Sequence, residues 1–225
     1  MRHFLISLTL LATLCSACTQ SEKTALQTGD LVFVGLPMDY KADTTSIASG
    51  ITAATGTDDG INFIHTAILE VEDSTVWVID ATIKHGVDRH PLDTMLRDFT
   101  LKDGSLPTFQ VMRLADNTDA AKWVENAKQY LGRPYDLYFL PDNDALYCTE
   151  LVQTAYLAPD GKQIFKSEPM NFKGPDGTMP PYWEWLFARL GRDIPQDEPG
   201  TNPQRMAADP VLVPVDIDLT QCMHR

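Results

Sequence analysis

Cys148 is the residue in this chain whose setting most resembles that of a nucleophile. It follows two turn-rich stretches, Arg133-Pro134-Tyr135-Asp136 and Pro141-Asp142-Asn143-Asp144, and precedes Leu151, Val152, Ala155 and Tyr156, which recur at helical spacing. This pattern predicts Cys148 in the first turn of a helix, where unpaired backbone N–H groups and the positive end of the helix dipole favour an anionic sulfur. A cysteine nucleophile also needs a base within hydrogen-bond reach and a third group that orients the base. Of the five histidines, His3 lies in an N-terminal leader, His224 in the C-terminal tail, and His85 and His90 in a turn-rich stretch where solvent can satisfy them. His65 stands inside an apolar run, where an imidazole needs a polar partner. Taken singly, His65 reads as a satisfied core histidine and Asp80 as a solvated carboxylate at a strand end. A zinc site from Cys148, His65 and Asp80 is formally open, but neither Cys-x-x-Cys nor His-Glu-x-x-His is present, and no metal or cofactor is expected.

The elements that must position these residues can be read along the chain. Leu31-Val32-Phe33-Val34, led in by Gly29-Asp30, predicts a short buried strand. Residues 37–57 predict a loop with one short helix facing the site, on the periodicity of Ile47, Ile51 and Ala54. Residues 63–71 and 75–82 are rich in β-formers and separated by Glu72-Asp73-Ser74, which predicts an antiparallel hairpin. Its pairing direction brings the start of the first strand, with His65, toward the end of the second, with Asp80. Further strands are expected at 86–90, at 108–114 and, on an edge, at 210–214. Residues 91–96 read as a proline-started helical turn. An amphipathic helix from Ala120 to Leu131, with Asp119 as its cap and Gly132 as its stop, serves packing. Residues 181–190 form an aromatic helix between Pro181 and Gly191, suited to core or to a cleft wall. The pattern from Gly191 onward specifies little beyond the edge strand.

Composition narrows the function classes. The 225 residues are 44% hydrophobic and 22% charged, which fits one domain with a sizeable core. A formal charge of −13 argues against a nucleic-acid binder, since phosphate contacts need clustered Lys and Arg. Residues 1–17 read as a secretory signal peptide: Arg2, an apolar run over 4–14 too short to span a bilayer, then Cys15-Ser16-Ala17. The Ser-Ala-Cys ending resembles a bacterial lipobox with Cys18 as the acylated residue, although Cys15 stands where leucine is usual. Residues 18–27 would then be a polar tether on a cell-envelope membrane, and the alternative is an ordinary secreted protein cut after Ala17. Past the leader only Cys18, Cys148 and Cys222 remain, too few for a disulfide framework. A Cys148–Cys222 bridge is the structural alternative for an exported chain.

Four elements in sequence carry a family resemblance: Gly29-Asp30-Leu31-Val32-Phe33; His65-Thr66-Ala67-Ile68-Leu69; Val78-Ile79-Asp80-Ala81; and Leu131-Gly132-Arg133-Pro134-Tyr135-Asp136-Leu137 followed by Leu146-Tyr147-Cys148-Thr149-Glu150-Leu151-Val152. From Gly29 to about Tyr156 the chain resembles the circularly permuted relatives of the NlpC/P60 papain-like hydrolases, in particular the YiiX/YaeF-like permuted papain-like amidases. In the unpermuted family the cysteine helix precedes the histidine strand, and here the order is reversed. The resemblance implies an α+β, papain-like fold over residues 28–225, with a central antiparallel sheet or partial barrel packed against helices, the nucleophile helix among them. It makes Cys148 the nucleophile, His65 the base, Asp80 the orienting residue and Asp30 structural. It gives Tyr135 a place lining the site, in binding or in helping the oxyanion beside the Cys148 N–H.

The function this implies is an envelope-anchored cysteine peptidase or amidase. It would cleave an amide bond in a cell-wall peptide, peptidoglycan fragments included, or in a small peptide or amino-acid conjugate, through a thioester. Two alternatives stand beside it: a lipid-directed thiol acyltransferase or esterase with the same triad, and a lipid-anchored binding protein without turnover.

Overall fold

In a computed structural model, residues 25–37, 40–56, 60–141 and 143–224 are described. The leader and Cys18 lie outside the described residues. Strand β1 (Leu31–Leu36) explains the architecture, because Leu31, Val32, Phe33 and Val34 are all fully buried. Successive side chains of a strand point to opposite faces, so an unbroken apolar run requires cover on both sides. Burying each such side chain stabilises the fold by about 1.5–3 kcal/mol.

β1 is central in an antiparallel six-stranded sheet of order β4-β3-β2-β1-β5-β8. The other strands are β2 (Asn62–Glu72), β3 (Thr75–Thr82), β4 (Gly86–Pro91), β5 (Thr108–Leu114) and β8 (Leu212–Val215). A separate ribbon pairs β6 (Glu168–Pro169) with β7 (Pro199–Gly200). The hairpin of β2 and β3 and the short β4 form as the sequence predicts, and β8 is the edge strand that its proline requires.

The helices divide between the two faces of the sheet. Leu31, Phe33, Ile68, Ile79 and Met112 pack against Trp123, Val124 and Ala127 of α3 (Ala120–Lys128) and Leu151 and Val152 of α4 (Cys148–Ala155). Val32, Val34, Ala67, Leu69 and Val78 pack against Leu92, Met95 and Leu96 of α2 (Leu92–Asp98) and Leu219 of the C-terminal 3₁₀ turn. A third, aromatic cluster joins α1 (Ile47–Thr55) to α5 (Pro181–Leu190) through Ile47, Ile51, Tyr182 and Trp183, with Phe139, Met170 and Phe172. The short α6 (Pro203–Ala207) packs against β2.

The helix read as running to Leu131 stops at Lys128, and Leu131 is exposed. The chain turns away there because Gly132 N–H donates to Val87 O at 2.9 Å and Val87 N–H to Arg133 O at 2.8 Å, which ties the next loop to β4. Asp119 holds the cap position without a side-chain hydrogen bond. The last residues counted with the tether are held against the domain: Ala25 O accepts from Arg113 Nη2, and Leu26 packs on the α2 face. Arg113 also grips the fully buried Asp30 with two hydrogen bonds, of 2.6 and 2.9 Å, so Asp30 anchors the entry to β1.

Gly86 makes the junction between β4 and the loop that leads to the cysteine. Its φ is +70°, and a Cβ there would lie 2.3 Å from Arg133 O. Gly86→Ala is therefore expected to destabilise the protein by about 1–3 kcal/mol. Urea unfolding checks this, and unchanged stability would show that the loop yields without cost.

Candidate active site

β2 carries His65 and owes its aim to an irregularity. The register runs Val34↔His65 and then Gly35↔Phe63, so Ile64 is an extra residue, a β-bulge immediately before the histidine. Phe63 accordingly packs with the α3/α4 face, its ring 5.6 Å from that of Phe33. His65 falls in phase with Ala67 and Leu69 on the α2 face, where its ring lies 4.7 Å from Phe99. An unbroken strand would have put Phe63 and His65 on the same face.

The β2–β3 register places Ile68 opposite Ile79. Extended toward the start of β2, it sets Asp80 on the diagonal to His65, within reach of an imidazole. His65 Nε2 donates to Asp80 Oδ2 at 2.8 Å, and the two side chains are only 8% and 1% exposed. Asp80 Oδ1 is engaged as well, by His90 Nε2 of β4 at 3.1 Å. The reading that solvent satisfies His90 is thereby corrected: on the strand expected at 86–90, its side chain is only 12% exposed and is held by Asp80. His85, by contrast, sits at the surface beside Asp98, 3.6 Å away.

Cys148 is the first residue of α4, as its spacing predicts, and is buried as a free thiol, so the alternative of a bridge to Cys222 does not hold. Its N–H belongs to the first helical turn, which has no intrahelical acceptor. The helix start is held by the Glu150 carboxylate, which accepts from Tyr147 N–H at 3.4 Å, and by Thr149 Oγ1, which donates to Thr201 O at 3.0 Å. The loop before it is wound around Asp136. That fully buried carboxylate accepts from Tyr138 N–H, Leu140 N–H and Asn143 Nδ2 at 2.8–3.0 Å. Asp136 N–H in turn donates to Leu146 O at 3.2 Å, which delivers the chain to Cys148.

The thiol of Cys148 interacts with His65, whose Nε2 is committed to Asp80 and whose other ring nitrogen remains for the sulfur. Burial works against the imidazolium, but the hydrogen bonds to Asp80 and Cys148 outweigh it, and the pKa of His65 is raised to about 10. Burial likewise works against the Asp80 charge, and the hydrogen bonds from His65 and His90 outweigh it, lowering its pKa to about 2.

Two cavities meet at this point. One, of about 50 Å³, is lined by Cys148, Phe139, Met170, Phe172, Trp183 and Thr201, and the other, of about 270 Å³, by His65, Ile64, Lys84, Asp98 and Phe99. Ile51 and Tyr135 line both. Burial raises the pKa of Tyr135 well above its usual value, so its hydroxyl stays protonated as a donor. Helix α1 thus faces the site, as expected, and α5 supplies a cleft wall through Trp183. The walls at Met170, Phe172 and Thr201 carried no local signal.

Residues 25–215 match the family described as permuted papain-like amidase enzyme, YaeF/YiiX, C92 family. The chain belongs to this family. It is 28% identical over 194 residues to an Escherichia coli K12 protein described as "Uncharacterized protein YiiX", covering 84% of this chain and 85% of that one. It also resembles a solved structure titled as that of the metalloprotein yiiX from Escherichia coli O157:H7. The TM-score is 0.65 at 26% identity, over 85% of this chain and 97% of that one. The fold and the permuted order of the histidine strand and cysteine helix are those the sequence pattern implied.

The titrations carry a stability consequence. A pKa raised by folding stabilises fully below the unfolded value, 6.5 for His65, and the effect is lost as pH rises toward about 10. A lowered one stabilises fully above its unfolded value, 3.8 for Asp80, and the effect is lost as pH falls toward about 2. The stability gap between the wild type and His65→Gln is thus expected to be constant between pH 3.8 and pH 6.5, and to shrink above that window through His65 and below it through Asp80, as read by urea unfolding over a pH series. A gap that widens on the alkaline side would contradict the arrangement.

Proposed function

We propose that this chain is a cysteine hydrolase that cleaves an amide bond through Cys148, His65 and Asp80. The observation that carries this reading is the buried 2.8 Å bond from His65 to Asp80, with the thiol of a helix-start cysteine hydrogen-bonding the same imidazole and adjoining cavities lined by each residue. His65 takes the Cys148 proton, and the sulfur attacks the carbonyl carbon. The oxyanion is received by the Cys148 N–H and the Tyr135 hydroxyl. Collapse of the intermediate breaks the C–N bond as His65 protonates the leaving amine. Water, deprotonated by His65, then hydrolyses the thioester and restores the thiol.

The reading includes no step at a metal. The solved relative is titled a metalloprotein, but among the described residues no group of three or more His, Cys, Asp or Glu is arranged to hold an ion. Both oxygens of Asp80 are moreover committed to imidazoles.

The substrate is an amide in a cell-wall peptide or in a small peptide or amino-acid conjugate. A second reading, an acyl lipid handled by the same triad, is favoured by the lining on the Cys148 side, where Ile51, Ala54, Phe139, Met170, Phe172 and Trp183 offer no charge to a polar acyl group. Muropeptides, amino-acid amides and acyl lipids tested side by side, with Cys148→Ala as control, separate the two. Turnover should vanish in Cys148→Ala and fall by about a hundredfold or more in His65→Ala. Alkylation of Cys148 by iodoacetamide at neutral pH should outpace a free thiol and slow in His65→Ala. Labelling no faster than a free thiol in both proteins would refute the activated nucleophile.

We also propose that the enzyme is held on an envelope membrane by an acyl group on Cys18. Incorporation of a fatty-acid probe into the full chain should be lost in Cys18→Ala, and retained labelling would remove the assignment.

A further inference from the structure

Asp80 lies near the end of β3 between two neighbouring strands and takes one imidazole from each, His65 from β2 and His90 from β4. The mechanism above uses only the first. The second has a constrained protonation state. Its Nε2 faces a carboxylate oxygen of Asp80 at 3.1 Å and its Nδ1 faces the carbonyl oxygen of Pro91 at 3.3 Å. An ionised carboxylate and a carbonyl only accept hydrogen bonds, so both ring nitrogens satisfy their partners only when both carry protons. A neutral His90 would set a lone pair against one oxygen or the other.

The surrounding charges point the same way. Asp88 stands directly opposite Asp80 across the β3–β4 pair, a juxtaposition of like charges that destabilises an antiparallel ladder. His90, two residues along the same strand from Asp88 and on the same face as Asp80, is the cation beside this pair. Helix α2, which follows His90, turns Leu92, Met95 and Leu96 inward, while its Asp93 and Arg97 pair with each other at the surface. Arg89, next along β4, engages Glu70 and Glu72. The charged groups that face the His90 ring are therefore Asp80 and Asp88, with His65 beyond the shared carboxylate.

We propose that His90 is a positioning residue of this site: as an imidazolium on the second oxygen of Asp80, it keeps that carboxylate ionised and aimed, so that its first oxygen holds the His65 ring toward Cys148. The role in the reaction rests on the catalytic reading of His65. Without His90, Asp80 keeps one hydrogen bond instead of two, loses one of its two imidazole partners and still faces Asp88, so it protonates at higher pH and is free to rotate.

Two measurements on the full chain test this. Long-range ¹H–¹⁵N spectra of the histidine rings, with His90 assigned by its loss in His90→Gln, should show both His90 nitrogens protonated at neutral pH. A pattern with one bare nitrogen overturns the proposal. The rate of Cys148 alkylation against pH is then compared in the wild type, His90→Gln and His90→Leu, each shown to be folded by circular dichroism. His90→Leu should move the acid limb upward by about one pH unit or more and slow labelling several-fold at neutral pH. His90→Gln, which keeps an N–H donor without the charge, should recover most of the rate and only part of the shift. Unmoved limbs in folded His90→Leu overturn the proposal, and if that variant does not fold, the ring spectra and His90→Gln still decide. Failure of the catalytic reading would appear separately, as alkylation indifferent to His65→Ala.

Discussion

A carboxylate only 1% exposed to solvent cannot keep its charge unless the protein replaces water around it. Asp80 meets that constraint with its position in the sheet. Because β3 lies between β2 and β4, a side chain near its end has a neighbour on either side, and each neighbour supplies an imidazole. The pairing that buries Ala67, Leu69 and Val78 is the same pairing that brings His65 and His90 to Asp80. Slipping either ladder by one residue would turn these side chains to the opposite face and leave the carboxylate without its donors. Packing and electrostatics therefore select one register together.

The cysteine reaches this cluster from a different layer of the molecule. Its helix packs on the α3 side of the sheet, and the segment before it is wound around the buried Asp136 and tied to β4 at Val87. The nucleophile and the base are thus held by independent supports that converge at the mouth of two cavities. The C-terminal part of the chain closes one side: Thr201 O takes the Thr149 hydroxyl, and the Thr201 N–H reaches the Tyr147 hydroxyl at 3.4 Å. Aromatic side chains from three separate stretches, at Phe139, Phe172 and Trp183, fill the wall beside the sulfur.

Residues in regular elements with a clear period were legible before the structure. The β2–β3 hairpin, the central β1, the aromatic α5 and the helix start at Cys148 follow from alternation, turn residues and helical spacing, all properties of neighbours in the chain. The role of His90 was not legible although its strand was, because which face of that strand meets Asp80 is set by its pairing with β3. The cleft walls at Met170 and Thr201 were hidden for a related reason. They lie in short or irregular segments whose conformation is held by contacts with distant residues, such as the bond between Met170 N–H and Glu198 O.

The sequence by itself determined which residues were available for chemistry and the kind of element each occupies: a cysteine at a helix start, a histidine within a strand, a carboxylate at the end of the next. Their permuted order and the motifs around them were enough to indicate the family. Only the tertiary structure decided the aim of those side chains. By parity alone, Phe63 and His65 belong on one face of β2; the bulge at Ile64 separates them, and such a bulge exists only as a mismatch between two paired strands. The second imidazole on Asp80 was likewise decided by strand order. Local sequence sets the backbone's preferences, whereas the direction of a side chain in a sheet depends on the strand laid beside it.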